Sequence, residues 1–259
     1  MRFRTWVLHS LSIAVFASAG LAQDNRNSPG SAVRFADGGA RGIMQSIFIP
    51  PRANAPFSLT LYTEWSKPLD TGGTVTRTNE RRIARDSNGR IFQERRFMVP
   101  KGSDLKPELR IIEITDPEQH IRYTCDPRTR TCDLYEYRLT ATESFIPALA
   151  PSGPLPDGRG FRQSSDLGVG STAGFETHGY REVTTFNPGV MGNDKQMIST
   201  REFWWSKQLA INLLSIVDEP LSGRQVFTAK DVSTSEPDSA LFEAPAEYKV
   251  VDRREGKRN

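Results

Sequence analysis

The sequence predicts a mainly β protein built from antiparallel strands. Three runs of strand length, residues 200–205, 209–217 and 224–232, follow one another with turn segments between them, which indicates an antiparallel meander. Earlier in the chain, Asn88-Gly89 separates two further strand-like runs, and this dipeptide is a strong hairpin signal. Beyond the N-terminal apolar run, we find no pattern of an amphipathic helix of several turns. We therefore expect strands joined by hairpins, with only a few short helical turns.

Alternation of apolar and polar residues predicts the other strands in order. The clearest alternation runs from Phe57 to Trp65, where large apolar side chains fall on one face. Further strands are predicted over residues 74–85, 90–99, 109–115, 120–124, 133–138, 168–186 and 248–251. One turn of helix is predicted within residues 235–242, with Leu241 and Phe242 docking on the sheet.

The middle strand of the meander is predicted to be apolar on both faces. An antiparallel strand with one face in water should alternate instead. We therefore expect both faces to be covered, either by another structural layer or by a cavity that holds an apolar ligand. One face would carry Leu209, Ile211, Leu213 and Val217, and the other Ala210, Leu214 and Ile216.

The chain is expected to form a single domain behind an export signal. Arg2 and Arg4 precede an apolar run over residues 6–19, and small residues precede Gln23, which is typical of a secretory signal. A membrane anchor is the alternative, but the run is shorter than the ~20 residues that a spanning helix needs. We predict a signal peptide at 1–22, a flexible leader at 23–42, one β domain at 43–252 and a charged tail at 253–259. The protein would then be exported to the periplasm or beyond, in a bacterial envelope.

A proline-rich loop is predicted within the β domain at residues 146–160, which contain four prolines and three glycines. Loops of this length in a compact domain are often lids or binding loops, or else lack order.

The charge of the chain argues against nucleic acid as a partner. The formal net charge is +3, and loss of Arg2 and Arg4 with the signal, which holds no acid, lowers it to +1. A nucleic-acid binder would need a strong basic excess on one face.

Cys125 and Cys132 are the only cysteines, and a disulfide is expected in an oxidising compartment. If the flanking segments pair as a hairpin, these two cysteines lie opposite each other. A zinc site with His120 and Asp126 or Asp133 is less favoured, because structural zinc sites usually use closely spaced ligand pairs. The spacing also differs from a redox Cys-x-x-Cys motif. No metal and no cofactor is predicted.

No catalytic residue is predicted. The glycine pattern at 168–173 fits dinucleotide binding only if a helix follows it, and a strand-like run follows instead. His178 lacks a recognisable nucleophile motif, so a hydrolase is the least favoured alternative.

Arginines cluster in the hairpin formed by the second and third predicted strands. They could contact an anionic surface or a partner protein through Arg81, Arg82, Arg95 and Arg96. A solvated hairpin, balanced in part by nearby carboxylates, is the more ordinary interpretation.

Large aromatic side chains are concentrated at Trp65 and at Phe203-Trp204-Trp205. Core packing is their default role, and a ligand cavity is the more specific one. The predicted ligand-binding set is therefore Trp65, Phe203, Trp204, Trp205, Leu214 and Ile216.

Two segments carry a family resemblance. The first is residues 115–131, which contain Tyr123-Thr-Cys-Asp-Pro-Arg128. The second extends from Ala173-Gly-Phe-Glu-Thr-His-Gly179 through Phe203-Trp-Trp205 to Glu236-Pro-Asp-Ser-Ala-Leu-Phe-Glu-Ala-Pro245. Together they resemble a family of exported bacterial β-rich proteins, and the C-terminal part is similar to the outer-membrane lipoprotein carrier (LolA/LolB-like) superfamily.

The resemblance implies a single, strongly curved antiparallel sheet, an unclosed half-barrel, whose concave side binds lipid acyl chains or a protein partner. The sequence departs from the carriers in lacking clear helices to plug the concave side, and in adding a disulfide hairpin and a proline-rich loop. We expect a non-enzymatic exported protein that binds an apolar or amphiphilic ligand, such as a lipid or lipoprotein. An envelope protein-interaction or stress-sensor module is the alternative.

Overall fold

The structure is a computed structural model that describes residues 47–138 and 149–254. The predicted signal peptide and flexible leader therefore lie outside the described residues, as do most of the charged tail and part of the proline-rich loop. In chain order the strands are β1 (Phe57–Pro68), β2 (Thr74–Arg85), β3 (Ile91–Arg96), β4 (Val99–Pro100), β5 (Leu109–Asp116), β6 (Ile121–Asp126), β7 (Thr131–Glu136), β8 (Gly153–Pro154), β9 (Gly160–Thr172), β10 (Phe175–Phe186), β11 (Met197–Ser206), β12 (Ile211–Glu219), β13 (Gly223–Ser233) and β14 (Lys249–Asp252). Short 3₁₀ turns lie at Pro156–Gly158 and Ser239–Phe242.

The strands form one open sheet, which confirms the predicted fold class. Their order is β14-β7-β6-β5-β3-β2-β1-β13-β12-β11-β10-β9-β8, with β4 beside β2. Neighbouring strands are antiparallel except β14, which runs parallel to β7. The edge strands β14 and β8 do not pair with each other, so the sheet is unclosed. Pairing of β1 with β13 joins an N-terminal group of strands to a C-terminal meander.

Turn chemistry explains the predicted β2–β3 hairpin. The Asp86 carboxylate is buried and accepts hydrogen bonds from the backbone N–H groups of Asn88 and Arg90, at 3.0 and 2.7 Å. Gly89 has φ +84°, which suits glycine, and an added Cβ there would lie 3.2 Å from the Arg52 backbone nitrogen. The side chain of Asp86 therefore closes the turn, and glycine leaves room for the neighbouring chain.

The sheet buries one face more completely than the other. The inner face, as we name it, carries Phe57, Leu59 and Leu61 of β1, all at most 4% exposed. Strand register places Ile83 of β2 and Ala229 of β13 on the same face. The inner core also contains Ile47, Ile49, Ile91, Leu209, Ile211, Leu213 and Phe227. The opposite, outer face has a smaller cluster of Ala84, Phe92, Ile114 and Phe242. The predicted docking of Leu241 and Phe242 is thereby confirmed.

Arg85 is buried in the inner core and holds three segments together. Its guanidinium donates to the carbonyl oxygens of Ala55, Pro50 and Leu209, with a distance of 2.6 Å to the last. It also lies 4.9 Å from the centroid of the Phe57 ring. Burial, followed by the charge of Arg52, lowers the pKa of Arg85 to about 10. The side chain thus supplies hydrogen bonds that the irregular segments it joins would otherwise lack.

The meander is confirmed, but the expectation that its middle strand is covered on both faces is wrong. Strand β12 begins at Ile211, because Leu209 and Ala210 form the preceding turn and Ala210 has φ +53°. Within β12, burial alternates: Ile211, Leu213 and Val217 are buried, whereas the side chains of the other face are half-buried. The strand therefore has one core face, as an antiparallel strand with one wetter face should.

The predicted strand over 168–186 is two strands. Chain reversal occurs at Ala173 and Gly174, with φ +51° and +82°, and joins β9 to β10. Strand β9 also begins at Gly160, at the end of the predicted proline-rich loop. The Ala-Gly pair turns tightly because both residues adopt the left-handed conformation that a two-residue hairpin loop requires.

Candidate functional site

A cavity of about 450 Å³ opens on the inner face where β9, β10, β11 and β12 lie side by side. Its floor comes from the strands, and its walls come from the chain segments next to β8, between β10 and β11, and between β12 and β13. The lining residues are Leu155, Pro156, Arg159, Arg162, Glu182, Thr184, Phe186, Met191, Met197, Ser199, Arg201, Glu219, Pro220 and Leu221.

The floor of the cavity is polar and its charges alternate across the strands. Arg162 of β9 pairs with Glu182 of β10 at 3.3 Å, and Arg201 of β11 pairs with Glu219 of β12 at 2.9 Å. Strand register also places Glu182 directly opposite Arg201. Opposite charges in cross-strand neighbours stabilise such a pairing. The floor therefore offers hydrogen-bonding groups while keeping most of its charge balanced.

The walls of the cavity are mostly apolar, although Arg159 also lies in them. The strand ends add Phe186 of β10 and Met197 of β11, which lie opposite each other. Met191 and Leu221 stand at the mouth, where they are 52% and 61% exposed. Leu155 contributes from the segment between β8 and β9. A polar floor below apolar walls is the composition expected of a site for an amphiphilic molecule.

The predicted ligand-binding residues lie on both faces of the sheet, and none of them lines this cavity. Trp204 is paired with Leu214 on the outer face, beside Ile216 of the same strand. Phe203 lies opposite the buried Ser215 and thus on the inner face. Trp205 is paired with Asn212 across a register shift, and Trp65 lies on the inner face of β1. A direct role of these six residues in binding stays a prediction.

Trp65 nevertheless contributes to the shape of the cavity. Its indole N–H donates to the backbone oxygen of Ser222 at 2.7 Å. Its indole nitrogen would lie 3.3 Å from a Cβ added at Gly223, which has φ +85°. Trp65 therefore holds the turn that carries Pro220 and Leu221 into the cavity wall.

The four arginines predicted to contact an anionic surface or a partner do not form one patch. Arg81 and Arg95 are on the inner face, because their register partners are Leu61 and Ile111. Arg81 is 5% exposed, and burial followed by the charge of Arg95 lowers its pKa to about 9. Arg95 pairs with Glu113 at 2.7 Å. A shared contact through all four arginines stays a prediction.

The other two arginines converge on the buried Glu94. Arg96 and Arg82 approach its carboxylate at 2.8 and 3.3 Å, and the Arg82 backbone N–H donates to it as well. Backbone pairing of β2 with β3 covers only residues 83–85 and 91–93. Beyond this short ladder, Arg81 donates to the Glu94 backbone oxygen and Asn79 to that of Arg96. Side chains therefore join the strands where the backbones separate.

The pKa of Glu94 reflects these contacts. Burial alone would raise the pKa, but the hydrogen bonds from Arg96 and the Arg82 backbone more than offset it. The folded-state pKa of Glu94 is consequently lowered, and the group is held as a carboxylate.

His178 forms a small polar cluster at the β9–β10 pair. Its Nε2 lies 2.5 Å from Oδ1 of Asp166, and its ring stacks on Tyr180 with centroids 4.7 Å apart. The Gly168 N–H, followed by His178, lowers the pKa of Asp166. Residues 168–172 end strand β9 and lead into the hairpin turn, so the glycine pattern has no helix after it. His178 does not line the 450 Å³ cavity.

The predicted disulfide is present. Cys125 and Cys132 are joined by a 2.04 Å S–S bond, lie directly opposite each other on β6 and β7, and are fully buried. This bond excludes the alternative in which the two thiolates bind zinc.

Comparisons with known proteins give distant structural similarities. No family model matches the chain, and no curated protein sequence matches it. The MucA/MucB complex of Pseudomonas aeruginosa is similar at 13% identity and a TM-score of 0.36, over 76% of this chain and 58% of that one. LprF from Mycobacterium bovis is similar at 9% identity and a TM-score of 0.26, over 71% and 89%. An outer membrane lipoprotein-sorting protein domain from Vibrio parahaemolyticus is similar at 7% identity and a TM-score of 0.18, over 72% and 89%.

This chain spans less than two thirds of the length of the MucB-containing chain. Within the described residues, no helix combines the length and apolar character needed to cross a membrane.

Proposed function

We propose that this protein is an exported, non-enzymatic binding protein that holds an apolar or amphiphilic ligand, such as a lipid or the lipid part of a lipoprotein. The observation that carries the proposal is the 450 Å³ cavity on the inner face, with its apolar walls and polar floor. Binding sites for small molecules are commonly concave, largely apolar and supplied with a few polar groups that orient the ligand.

The size and lining of the cavity suit a molecule with an apolar chain and a polar end. Its volume falls within the range of about 300–1,000 Å³ that is usual for small-molecule sites. Phe186, Met197 and Leu155 offer apolar surface, while Thr184 and Ser199 of the floor offer hydroxyl groups. An apolar chain against the walls would be removed from water, which is the main source of binding free energy. The polar end would take its hydrogen bonds from the floor.

Binding rather than catalysis fits the arrangement of the carboxylates in the cavity. Glu182 and Glu219 are each engaged by an arginine, at 3.3 and 2.9 Å. A general acid or base must instead be free to exchange a proton with the substrate. The paired carboxylates support a structural role in the floor.

The test is the affinity of the purified protein for a dansyl-labelled fatty acid, followed by fluorescence. Met197→Trp would fill part of the cavity and should weaken binding roughly tenfold or more, because overfilled apolar sites exclude their ligand at a cost above 1 kcal/mol. The matched control is Ile198→Trp. Ile198 is the next residue of the same strand, is 54% exposed and does not line the cavity.

The proposal requires that wild type and Ile198→Trp bind the probe alike. Wild-type protein that shows no saturable binding, or equal binding by Met197→Trp, would refute it. Native mass spectrometry of protein purified from its own envelope would identify a co-purifying ligand. A ligand of unchanged mass would agree with the non-enzymatic role.

The alternative of a protein-interaction module receives less support from the structure. That alternative relied on edge strands and on the arginine-rich hairpin. The arginines of this hairpin are divided between two faces and largely paired with Glu94 and Glu113. Such paired charges are poor candidates for a contact surface.

A further inference from the structure

Exposed apolar side chains are concentrated at one end of the sheet. We call this the cavity end and define it by the segments 69–73, 97–108, 127–130, 155–159, 187–196 and 220–222, which connect strands there, together with the two strand residues next to each segment. The cavity opens at this end, because Met191, Pro220 and Leu221 belong to its segments.

Eight of the eleven large apolar residues that are exposed in the ranges 47–138 and 149–254 lie at the cavity end. A ninth, Val250 of β14, lies beside it, because Val250 is paired with Cys132 near the start of β7. Phe48 and Val169 are the two that lie elsewhere. The nine are Leu69 (47%), Val75 (38%), Phe97 (44%), Leu105 (63%), Phe161 (50%), Met191 (52%), Ile198 (54%), Leu221 (61%) and Val250 (45%). Scattered single apolar residues are normal on a surface, but a one-sided distribution indicates an interaction site.

Several of these side chains belong to segments that contact one another. Met191 and Leu221 share the wall of the cavity. The Lys67 ammonium donates to the Leu221 backbone oxygen at 3.0 Å, which joins the β12–β13 turn to the end of β1, two residues before Leu69. The Lys101 N–H donates to the Thr76 backbone oxygen, which attaches segment 97–108 to β2. Hydrogen bonds therefore join segments 220–222 and 97–108 to the neighbouring strands β1 and β2.

Basic side chains stand beside the apolar ones. Lys106 directly follows Leu105, and Lys195 follows Met191 in the same segment. Lys67 contacts the Leu221 segment, and Lys101 pairs with Glu64 at 2.9 Å. The segments of the cavity end carry six exposed basic residues and five exposed acidic ones, so their net charge does not oppose an anionic surface. Apolar tips next to lysine or arginine are typical of protein segments that insert into the headgroup region of a bilayer.

We propose that the cavity end docks on an anionic phospholipid bilayer, with the exposed apolar side chains inserted and the lysines among the headgroups. In this position the mouth of the cavity faces the membrane. The apolar and basic composition of the cavity end identifies the bilayer as its partner. The purpose of docking, which is the exchange of an amphiphile with the bilayer, rests on the proposed function.

The test is co-sedimentation with vesicles of phosphatidylcholine, with and without phosphatidylglycerol. Leu69→Glu/Leu105→Glu changes two exposed residues of the cavity end that do not line the cavity. Phe48→Glu/Val169→Glu is the control, because it makes the same change of charge at two exposed apolar residues elsewhere. Wild type and control should bind the phosphatidylglycerol vesicles, and the cavity-end variant should partition at least about tenfold more weakly, since inserting even one leucine contributes about that factor.

Docking is refuted if wild-type protein does not bind the anionic vesicles, binds both vesicle types alike, or loses binding equally in the two double variants. The dansyl-labelled fatty acid in vesicle-free solution separates this result from the proposed function. Uptake of the fatty acid without vesicle binding would overturn docking alone, whereas vesicle binding without uptake would overturn the proposed function alone.

Discussion

The indole of Trp204 occupies the space in which a side chain on Gly170 would lie. A Cβ added at Gly170 would come within 2.5 Å of Cζ3 of Trp204, and one added at Gly179 within 2.9 Å of its Cη2. The Trp204 N–H donates to Glu202 at 2.8 Å, which fixes the ring in this position. Two neighbouring strands thus present glycine beneath a single aromatic ring.

Gly170→Ala is expected to destabilise the protein by about 1–3 kcal/mol, because the tryptophan cannot move without losing its packing and its hydrogen bond. Denaturant unfolding measures the change. The control is Gly153→Ala, since no atom lies within 4 Å of an added Cβ there and its φ is not in the left-handed region. Equal unfolding midpoints for the two variants would contradict the contact.

The β9–β10 turn can be improved. Ala173 has φ +51°, a conformation that alanine tolerates poorly and asparagine accepts more readily, and Gly174 follows it with φ +82°. Ala173→Asn should therefore raise the free energy of unfolding by roughly 0.5–1 kcal/mol. Ala246→Asn, at an exposed turn residue without positive φ, should leave stability nearly unchanged. A loss of stability in Ala173→Asn would argue against this turn geometry.

Removal of the Arg85 guanidinium should be costly. Arg85→Met leaves the buried carbonyl oxygens of Ala55 and Leu209 without this donor, so a loss of about 2–4 kcal/mol is expected. Chemical denaturation monitored by tryptophan fluorescence gives the value. Arg77→Met is the matched control, because Arg77 is an exposed residue of the same strand. Wild-type stability of both variants would show that the hydrogen bonds of the Arg85 guanidinium do not stabilise the fold.

Glu94 should make stability depend on pH in the acidic range. Its folded-state pKa is lowered from 4.5, so its stabilising contribution is complete above about pH 4.5 and is lost as pH falls through the lowered folded-state pKa. Glu94→Gln should cost about 1.5–3 kcal/mol at neutral pH, the size expected for charge-assisted hydrogen bonds.

The difference in free energy of unfolding between wild type and Glu94→Gln should shrink as the pH falls below about 4.5, because the Glu94 carboxylate then becomes protonated. Unfolding curves between neutral and acidic pH measure it, with the exposed Glu243→Gln as control. A difference that stays constant with pH would mean that the charge of Glu94 does not stabilise the sheet.

Local patterns in the sequence were sufficient for most of the sheet. Three predictions rest on contacts between residues close in the chain: the strand that alternates from Phe57, the Asn88-Gly89 turn and the pair of cysteines. The structure confirms all three. The errors came from residues whose burial is not due to a strand. Leu209 is 1% exposed because it packs in a turn against the inner core, and counting it with β12 produced an apolar pattern on both faces.

The cavity could not be found in the same way. Arg162, Glu182, Arg201 and Glu219 lie about one strand and one turn apart in the sequence, and each resembles an ordinary exposed charge. Only the register of four strands brings them together. The large aromatic residues gave a stronger signal, but Trp204 packs on glycines and Trp65 supports a turn, so their size reflects packing beside the cavity.

The parallel strand β14 determines when the sheet can be completed. The chain leaves β13 at the centre of the sheet and packs Phe242 beneath Arg90 on the outer face. Residues 249–252 then pair with the free edge of β7. During synthesis from the N-terminus, β7 therefore has an unpaired edge until β14 has been made, long after β7 itself. An open strand edge is prone to join other chains, so β14 also protects the early half of the fold against self-association.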